Sequence, residues 1–242
     1  MTITSPHNDK LKAIRKLTQR RRERERAGRF VAEGEDLLAA ADAAGWRPVH
    51  RLAAAGSGLE GDQVTPEVLA SVSGLGSGTR ALAVYEERWA PAPAGPLCLA
   101  LYGVGDPGNV GAVLRSAQAF GAASVVLGPG CADPFGPKAV RASMGAVFTV
   151  ALAHAPAQPS LLPGRTVALV AGEGPALAEL GLHASDLAPV TLLIGAERDG
   201  LPAEVQAAAD VTAQIPIASH SLNAAMAATV ALYEMSRMPA TP

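Results

Sequence analysis

The sequence predicts a two-domain α/β protein: a small α/β unit followed by a parallel sheet covered by helices on both faces. Three observations predict it. From Leu97 onward apolar strand, Gly-containing loop and helix repeat in turn, the pattern of a parallel sheet buried on both faces. A Pro/Ala stretch from Trp89 to Pro96 stays extended and marks the clearest boundary in the chain. The length of 242 residues and the hydrophobic content of 49% suffice for two modest domains with sizeable cores. Aromatics amount to 4%, so the core is expected to rest on Ala, Val and Leu. The expected divisions are 1–88, a linker at 89–96, and 97–242.

Residues 9–27 read as one basic helix, with Leu11, Ile14 and Leu17 spaced along an apolar edge. Arg29 to Ala32 reads as a strand. Glu33-Gly34-Glu35-Asp36 then starts a helix with an acidic first turn, which Gly45 ends. Pro48 to Ala53 is the next strand, and Gly-rich turns at 56–61 and 73–78 flank a helix from Pro66. Arg80 to Glu86 closes the first unit. In the second unit strands are expected near 97–104, 123–127, 147–152, 165–171, 190–195 and 211–216. Helices are expected near 109–120, 136–143, 175–181, 202–208 and 222–237. Ligands in such sheets bind in the loops at the carboxyl ends of strands.

The net charge of −2 hides an asymmetry. Residues 1–30 carry ten Lys/Arg against Asp9, Glu23 and Glu25, leaving +7 there and −9 in the remainder. Such a run is either a solvated helix face or the footprint of a polyanion. Cys98 and Cys131 have neither metal-ligand spacing nor a disulfide framework, so no metal site and a reducing cytoplasm are expected. The first residues are charged where a signal peptide needs an apolar core. No apolar run reaches the ~18 residues a membrane span requires.

Three segments carry candidate chemistry. The first is Gly105-Asp106-Pro107-Gly108-Asn109-Val110-Gly111-Ala112-Val113-Leu114-Arg115, where Asn109 sits at an expected N-cap. Arg115 lies about 1.7 turns further on, near the same side of the helix. No G-x-G-x-x-G opens this helix, which excludes a dinucleotide fingerprint. The second is Ile194-Gly195-Ala196-Glu197-Arg198-Asp199-Gly200-Leu201-Pro202, a buried strand entering a tight loop. The third is Ile215-Pro216-Ile217-Ala218-Ser219-His220-Ser221-Leu222-Asn223, running into a helix that is apolar on nearly every face. Taken singly, each also fits an ordinary strand, turn and capped helix. Three in series at strand ends are much harder to assign to chance.

Together the three segments resemble the motifs of the SpoU/TrmH ribose 2′-O-methyltransferases of the SPOUT superfamily. Pro137 to Phe148 resembles the segment between the first two motifs, and His7 to Leu38 resembles the substrate-binding domain of many members. The resemblance implies an RNA methyltransferase using S-adenosylmethionine, with a trefoil knot, an L30e-like first domain and an obligate homodimer. It places Gly195, Ile215 and Leu222 at the cofactor, with Glu197 and Gly200 shaping that pocket. Arg115 matches the arginine that activates the ribose hydroxyl, with Asn109, Ser221 and Asn223 as polar residues of the site. Part of the first motif is expected from the neighbouring subunit. On this reading Lys12, Arg15, Arg20, Arg21, Arg22 and Arg24 contact RNA, ribosomal RNA in preference to transfer RNA. A base-nitrogen methyltransferase and a non-catalytic ribosome-assembly protein stay open as alternatives. The chain departs from many relatives in the short loop Ala218-Ser219-His220 and in lacking Gln-Gly within Ser73 to Ala81.

Overall fold

The computed structural model describes residues 2–74, 78–156, 158–182, 184–185 and 187–237. The chain opens with α1 (Asp9–Gln19), where the Asn8 side chain accepts from the Lys10 amide at 3.0 Å and Leu11, Ile14 and Leu17 are buried. The single helix expected over 9–27 is two. Arg20 is extended (φ −130°, ψ 114°), and α2 (Arg21–Ala27) restarts beyond it, ending at left-handed Gly28. Then follow β1 (Arg29–Glu33), α3 (Glu35–Ala43), β2 (His50–Ala54), β3 (Asp62–Val64), α4 (Pro66–Ala70) and β4 (Ala81–Glu86). They form a four-stranded sheet ordered β1-β4-β2-β3, antiparallel except for β2 with β3. Strand β3 was not expected between the Gly-rich turn at 56–61 and the helix from Pro66, and part of the turn read at 73–78 lies outside the described residues.

Beyond it come β5 (Leu97–Leu101), α5 (Pro107–Ala119), β6 (Ser124–Leu127), α6 (Pro137–Ala142), β7 (Ala151–His154) and β8 (Arg165–Leu169). The last elements are β9 (Val190–Ile194), α7 (Ala203–Ala207), β10 (Val211–Ala213) and α8 (Ala224–Arg237). The six strands pair in parallel in the order β10-β8-β9-β5-β6-β7. Strands β5 and β9, neighbours near the middle, are buried at every position, as two-faced covering requires. Three expectations shift. The strand expected at 147–152 begins at Ala151 because Ala146–Phe148 is a 3₁₀ turn. The helix expected at 175–181 is a 3₁₀ turn, Leu177–Leu180, cut short by left-handed Gly181. The strand before the third motif ends at Ala213, two residues before Ile215.

The chain forms two compact units, and the first comprises Met1–Arg88 together with Asp133–Phe148. The packing of that segment has a clear cause. Phe135 and Phe148 join Phe30, Trp46 and Tyr85 in one aromatic cluster, with Phe30 and Phe135 centroids 4.8 Å apart. The Trp46 indole N–H donates to the Phe148 carbonyl at 2.8 Å. An aromatic-poor chain thus concentrates five of its nine rings in one place, so the core of this unit is not built from Ala, Val and Leu alone. Edge-on and offset ring pairs add about 0.5–1.5 kcal/mol each beyond their buried area. Gly145 (φ 96°) lies against α3, where an added Cβ would sit 2.6 Å from Ala40 Cβ.

A buried ion pair overturns one expected RNA contact. Arg24 is 6% exposed. Its Nε and Nη2 reach one Asp133 oxygen at 2.8 and 2.7 Å, and Nη1 donates to the Leu17 carbonyl at 2.7 Å. The break at Arg20 lets α2 present this side chain inward, so Arg24 holds the fold and does not face RNA. Arg21 pairs with Glu25, and Lys12 with Asp9, both on the surface. Because truncating one partner strands a buried charge, Arg24→Ala is expected to lower unfolding free energy by about 3 kcal/mol. Urea denaturation checks this, and a loss no larger than that of a surface Arg would contradict it.

Candidate active site

The second unit carries a cavity of about 310 Å³ at the carboxyl ends of its strands. Its walls come from Leu169 to Ala171 at the end of β8, Ile194 to Leu201 at the end of β9, residues of the Ile215 to Leu222 stretch between β10 and α8, and Ala224 and Ala227 of α8. Strands β8 and β9 are neighbours, so their ends open on one place. The site therefore follows from parallel strand order and not from any single motif.

The loop after β9 is shaped by a close approach. Ala196 and Gly200 exchange backbone hydrogen bonds at 3.1 and 3.0 Å, closing a tight turn. Gly200 is left-handed (φ 67°). A Cβ on Gly195 would lie 2.1 Å from the Gly200 carbonyl carbon and 2.3 Å from the Leu201 nitrogen. Only glycine lets the turn fold back on the strand end, which exposes backbone and leaves room for a ligand.

A chain of hydrogen bonds joins the three motif segments. Asn223 caps α8: its Oδ1 accepts from the amides of Ala225 and Met226 at 3.0 and 3.3 Å. Its Nδ2 donates to Asn109 Oδ1 at 3.1 Å, and Asn109 Nδ2 donates to Glu197 Oε1. The amide orientations follow from the ends. The cap needs an acceptor, so Asn223 must offer its NH₂ to Asn109, and Asn109 must offer its own to the carboxylate. The N-cap of α5 is Asp106, whose side chain accepts from the Asn109 amide at 3.0 Å, and not Asn109 as expected. That frees the Asn109 side chain for its two partners.

Of the expected cofactor residues, Gly195, Glu197, Gly200, Ile215 and Leu222 all line the cavity, as does Ser221. Asn109 and Asn223 adjoin it through Glu197. Arg115 does not line it: it is exposed on α5. His220, in the short loop, is on the cavity wall. Sequence reasoning did not name Leu169 to Ala171, although a strand ending beside β9 was the available signal. Helix α8 is buried along Ala224, Ala225, Ala228, Ala231, Leu232 and Met235 and packs on α5, with Ser116 and Thr229 hydroxyls 2.6 Å apart. Apolar on nearly every face, the helix was expected to be buried or at an interface; within one chain Met226 and Tyr233 are 63% and 47% exposed. Among the described residues no cluster of His, Cys, Asp and Glu is placed to hold a metal, and no helix is long and apolar enough to cross a membrane.

The fold and site define an α/β protein with a cavity at its strand ends and a polar chain beside it. Comparison with known proteins gives the family. Residues 96–233 match the SpoU rRNA Methylase family, and residues 8–84 match the MRM3-like substrate binding domain. The chain belongs to the SpoU rRNA methylase family. An uncharacterized tRNA/rRNA methyltransferase of Mycobacterium tuberculosis is 35% identical over 196 residues, covering 76% of this chain and 68% of that one. The 23S rRNA (uridine(2479)-2′-O)-methyltransferase of Streptomyces viridochromogenes is 36% identical over 140 residues, 54% of this chain and 49% of that one. A ribosomal RNA small subunit methyltransferase of Syntrophobacter fumaroxidans is 38% identical over 183 residues, 72% of this chain; the match spans only 35% of that longer protein. Among solved structures, the AdoMet-bound rRNA methyltransferase of Sinorhizobium meliloti has a TM-score of 0.87 at 30% identity, covering 100% of this chain and 99% of that one.

Gly195→Ala is expected to force the 196–200 turn off the strand end and to destabilise the protein by about 1–3 kcal/mol, the usual range for overpacking. Thermal unfolding checks this, and an unchanged midpoint would contradict the close approach.

Proposed function

We propose that this chain is an RNA methyltransferase that methylates the 2′-hydroxyl of a ribose in structured RNA, with 23S ribosomal RNA as the substrate class. S-adenosylmethionine is the cofactor, and when bound it supplies an electrophilic methyl group on a sulfonium. The observation that carries the reading is the cavity walled by Gly195, Ile215 and Leu222, with Asn109, Glu197 and Asn223 tied together beside it. The residues fit the cofactor. Ile194, Ile215, Leu201 and Leu222 offer apolar walls for an adenine, and the tight turn at Gly195 exposes backbone groups for its polar edges. Glu197 and Ser221 offer acceptors on the same wall.

The chain's own part in catalysis is positioning and charge stabilisation. Rigid walls and the capped start of α8 hold reactants in near-attack geometry. A guanidinium is a poor base and a good donor to anions, so Arg115 is not cast as the base. Its role is to stabilise the developing alkoxide and the adjacent phosphate. Because Arg115 lies outside the cavity of its own chain, the reading includes a homodimer in which a second copy supplies it. The exposed apolar residues Met226 and Tyr233 of α8, the latter beside Phe120, suit that contact. A trefoil knot in the second unit and a cytoplasmic setting belong to the same reading. Arg20 and Arg22, exposed and without an ion pair among the described residues, remain as RNA-facing cations of the N-terminal stretch.

The 2′-O assignment is supported by the Streptomyces viridochromogenes relative. Nucleoside mass spectrometry of treated 23S RNA is expected to give a 2′-O-methylnucleoside; a base-methylated product would refute ribose specificity. Arg115→Lys is expected to keep cofactor binding while turnover falls about 10²-fold, the usual scale for losing one anion-stabilising donor. Near wild-type turnover would exclude the assigned role. Mixing Arg115→Ala chains with Gly195→Ala chains is expected to restore part of the activity, since one mixed site is intact.

A further inference from the structure

The cavity at the ends of β8 and β9 differs in polarity between its inner wall and its mouth. Ile194 and Leu201 on its wall are buried, whereas Arg198, Asp199 and His220 are exposed. Its apolar wall therefore lies inward, and its charges gather at the mouth. Most of those charges come from one turn. Ala196 and Gly200 bond to each other through both backbone groups, so Glu197, Arg198 and Asp199 form a three-residue tip with Arg198 at its centre. The close approach of Gly195 to Gly200 seats that tip on the strand end. Among the described residues, Arg198 is the one Lys or Arg on the cavity wall.

S-adenosylmethionine divides in the same way. Its adenine is flat and apolar on both faces, and its methionine end carries a sulfonium, an ammonium and a carboxylate. Burying that end strips water from three charges, so it belongs at the mouth, with the adenine inward. There the turn offers both signs, a guanidinium flanked by two carboxylates. Glu197 and Asp199 against Arg198 leave the tip one unit negative. A net negative tip repels an RNA phosphodiester, and it suits a cofactor whose own charges sum to plus one. The carboxylate is the part of that cofactor that needs a cation.

We propose that Arg198 recognises the cofactor's carboxylate and so sets the preference for S-adenosylmethionine over analogues that lack that group. A guanidinium pairs with a carboxylate through two parallel N–H donors, a fit that lysine does not reproduce. The backbone bonds at the base of the tip hold the turn before the ligand arrives, which lowers the ordering cost of the contact. The proposal rests on the S-adenosylmethionine reading and deepens it, since it assigns a residue to the polar end of the cofactor. The family resemblance gave roles in this turn to Gly195, Glu197 and Gly200 and none to Arg198.

The test is calorimetric binding of two probes to the full chain, S-adenosylmethionine and decarboxylated S-adenosylmethionine, which differ only in the carboxylate. The wild-type chain is expected to bind the decarboxylated form about tenfold more weakly, the scale of one charge-assisted contact at a solvent-exposed rim. Arg198→Gln is expected to lose that preference by weakening S-adenosylmethionine alone, with an unchanged melting midpoint. Arg198→Lys is expected to keep the preference in part. Arg165→Gln removes a cation at the start of β8, the opposite end of that strand from the cavity, and is expected to change neither affinity. An Arg198→Gln chain that keeps the wild-type preference, or that weakens both probes equally, overturns the proposal. So does one that spares cofactor binding and lowers affinity for a short RNA hairpin, because Arg198 is then a phosphate contact. A wild-type chain that binds both probes equally overturns this assignment alone, and one that binds neither overturns the cofactor reading with it.

Discussion

The site depends on one directional run of hydrogen bonds. It starts at the free amides of α8, passes through Asn223 and Asn109, and ends on the Glu197 carboxylate. Each amide side chain accepts at one end and donates at the other, so the run tolerates neither a flipped amide nor an acid in place of either asparagine. Its reach across the sheet is what matters. Asn223 follows β10 at the sheet edge, whereas Asn109 belongs to α5 after β5, with β8 and β9 between those strands. The connection holds the start of α8 over the ends of β8 and β9, where the cavity lies.

A second constraint governs the first unit. The segment Asp133–Phe148 is drawn into it by Phe135 and Phe148 in the aromatic cluster and by the Arg24–Asp133 ion pair. Apolar burial supplies the stability, and the ion pair contributes orientation more than energy, because both charges are desolvated. The same packing brings the cations of α6 beside Arg15. Fold and electrostatics in this unit therefore share one cause.

The legible parts of the chain were those with a local signature. The continuous apolar runs of β5 and β9, the Gly-rich turn after β9 and the apolar start of α8 all carry their meaning within a dozen residues, and five expected cavity residues came together accordingly. What escaped depended on distant partners. Nothing within 21–27 distinguishes Arg24 from its neighbours, because Asp133 lies 109 residues away. The break at Arg20 interrupts a run of good helix formers and answers to the same tertiary demand. Asn109 was taken for a cap since Asp106 and Asn109 are both good capping residues, and only the pairing with Glu197 separates their roles. A low aromatic content suggested an aliphatic core, but composition does not reveal that five rings converge.

The central claim is that Asn109 and Glu197 act as one unit in holding the cavity. A double-mutant cycle on S-adenosylmethionine affinity, measured by calorimetry with Asn109→Ala, Glu197→Ala and the double variant, tests it most directly. Coupled neighbours show interaction energies of about 0.5–3 kcal/mol, so the double variant is expected to lose little more affinity than the worse single one. Losses that add within about 0.3–0.5 kcal/mol would show the two residues to be independent and would contradict the account.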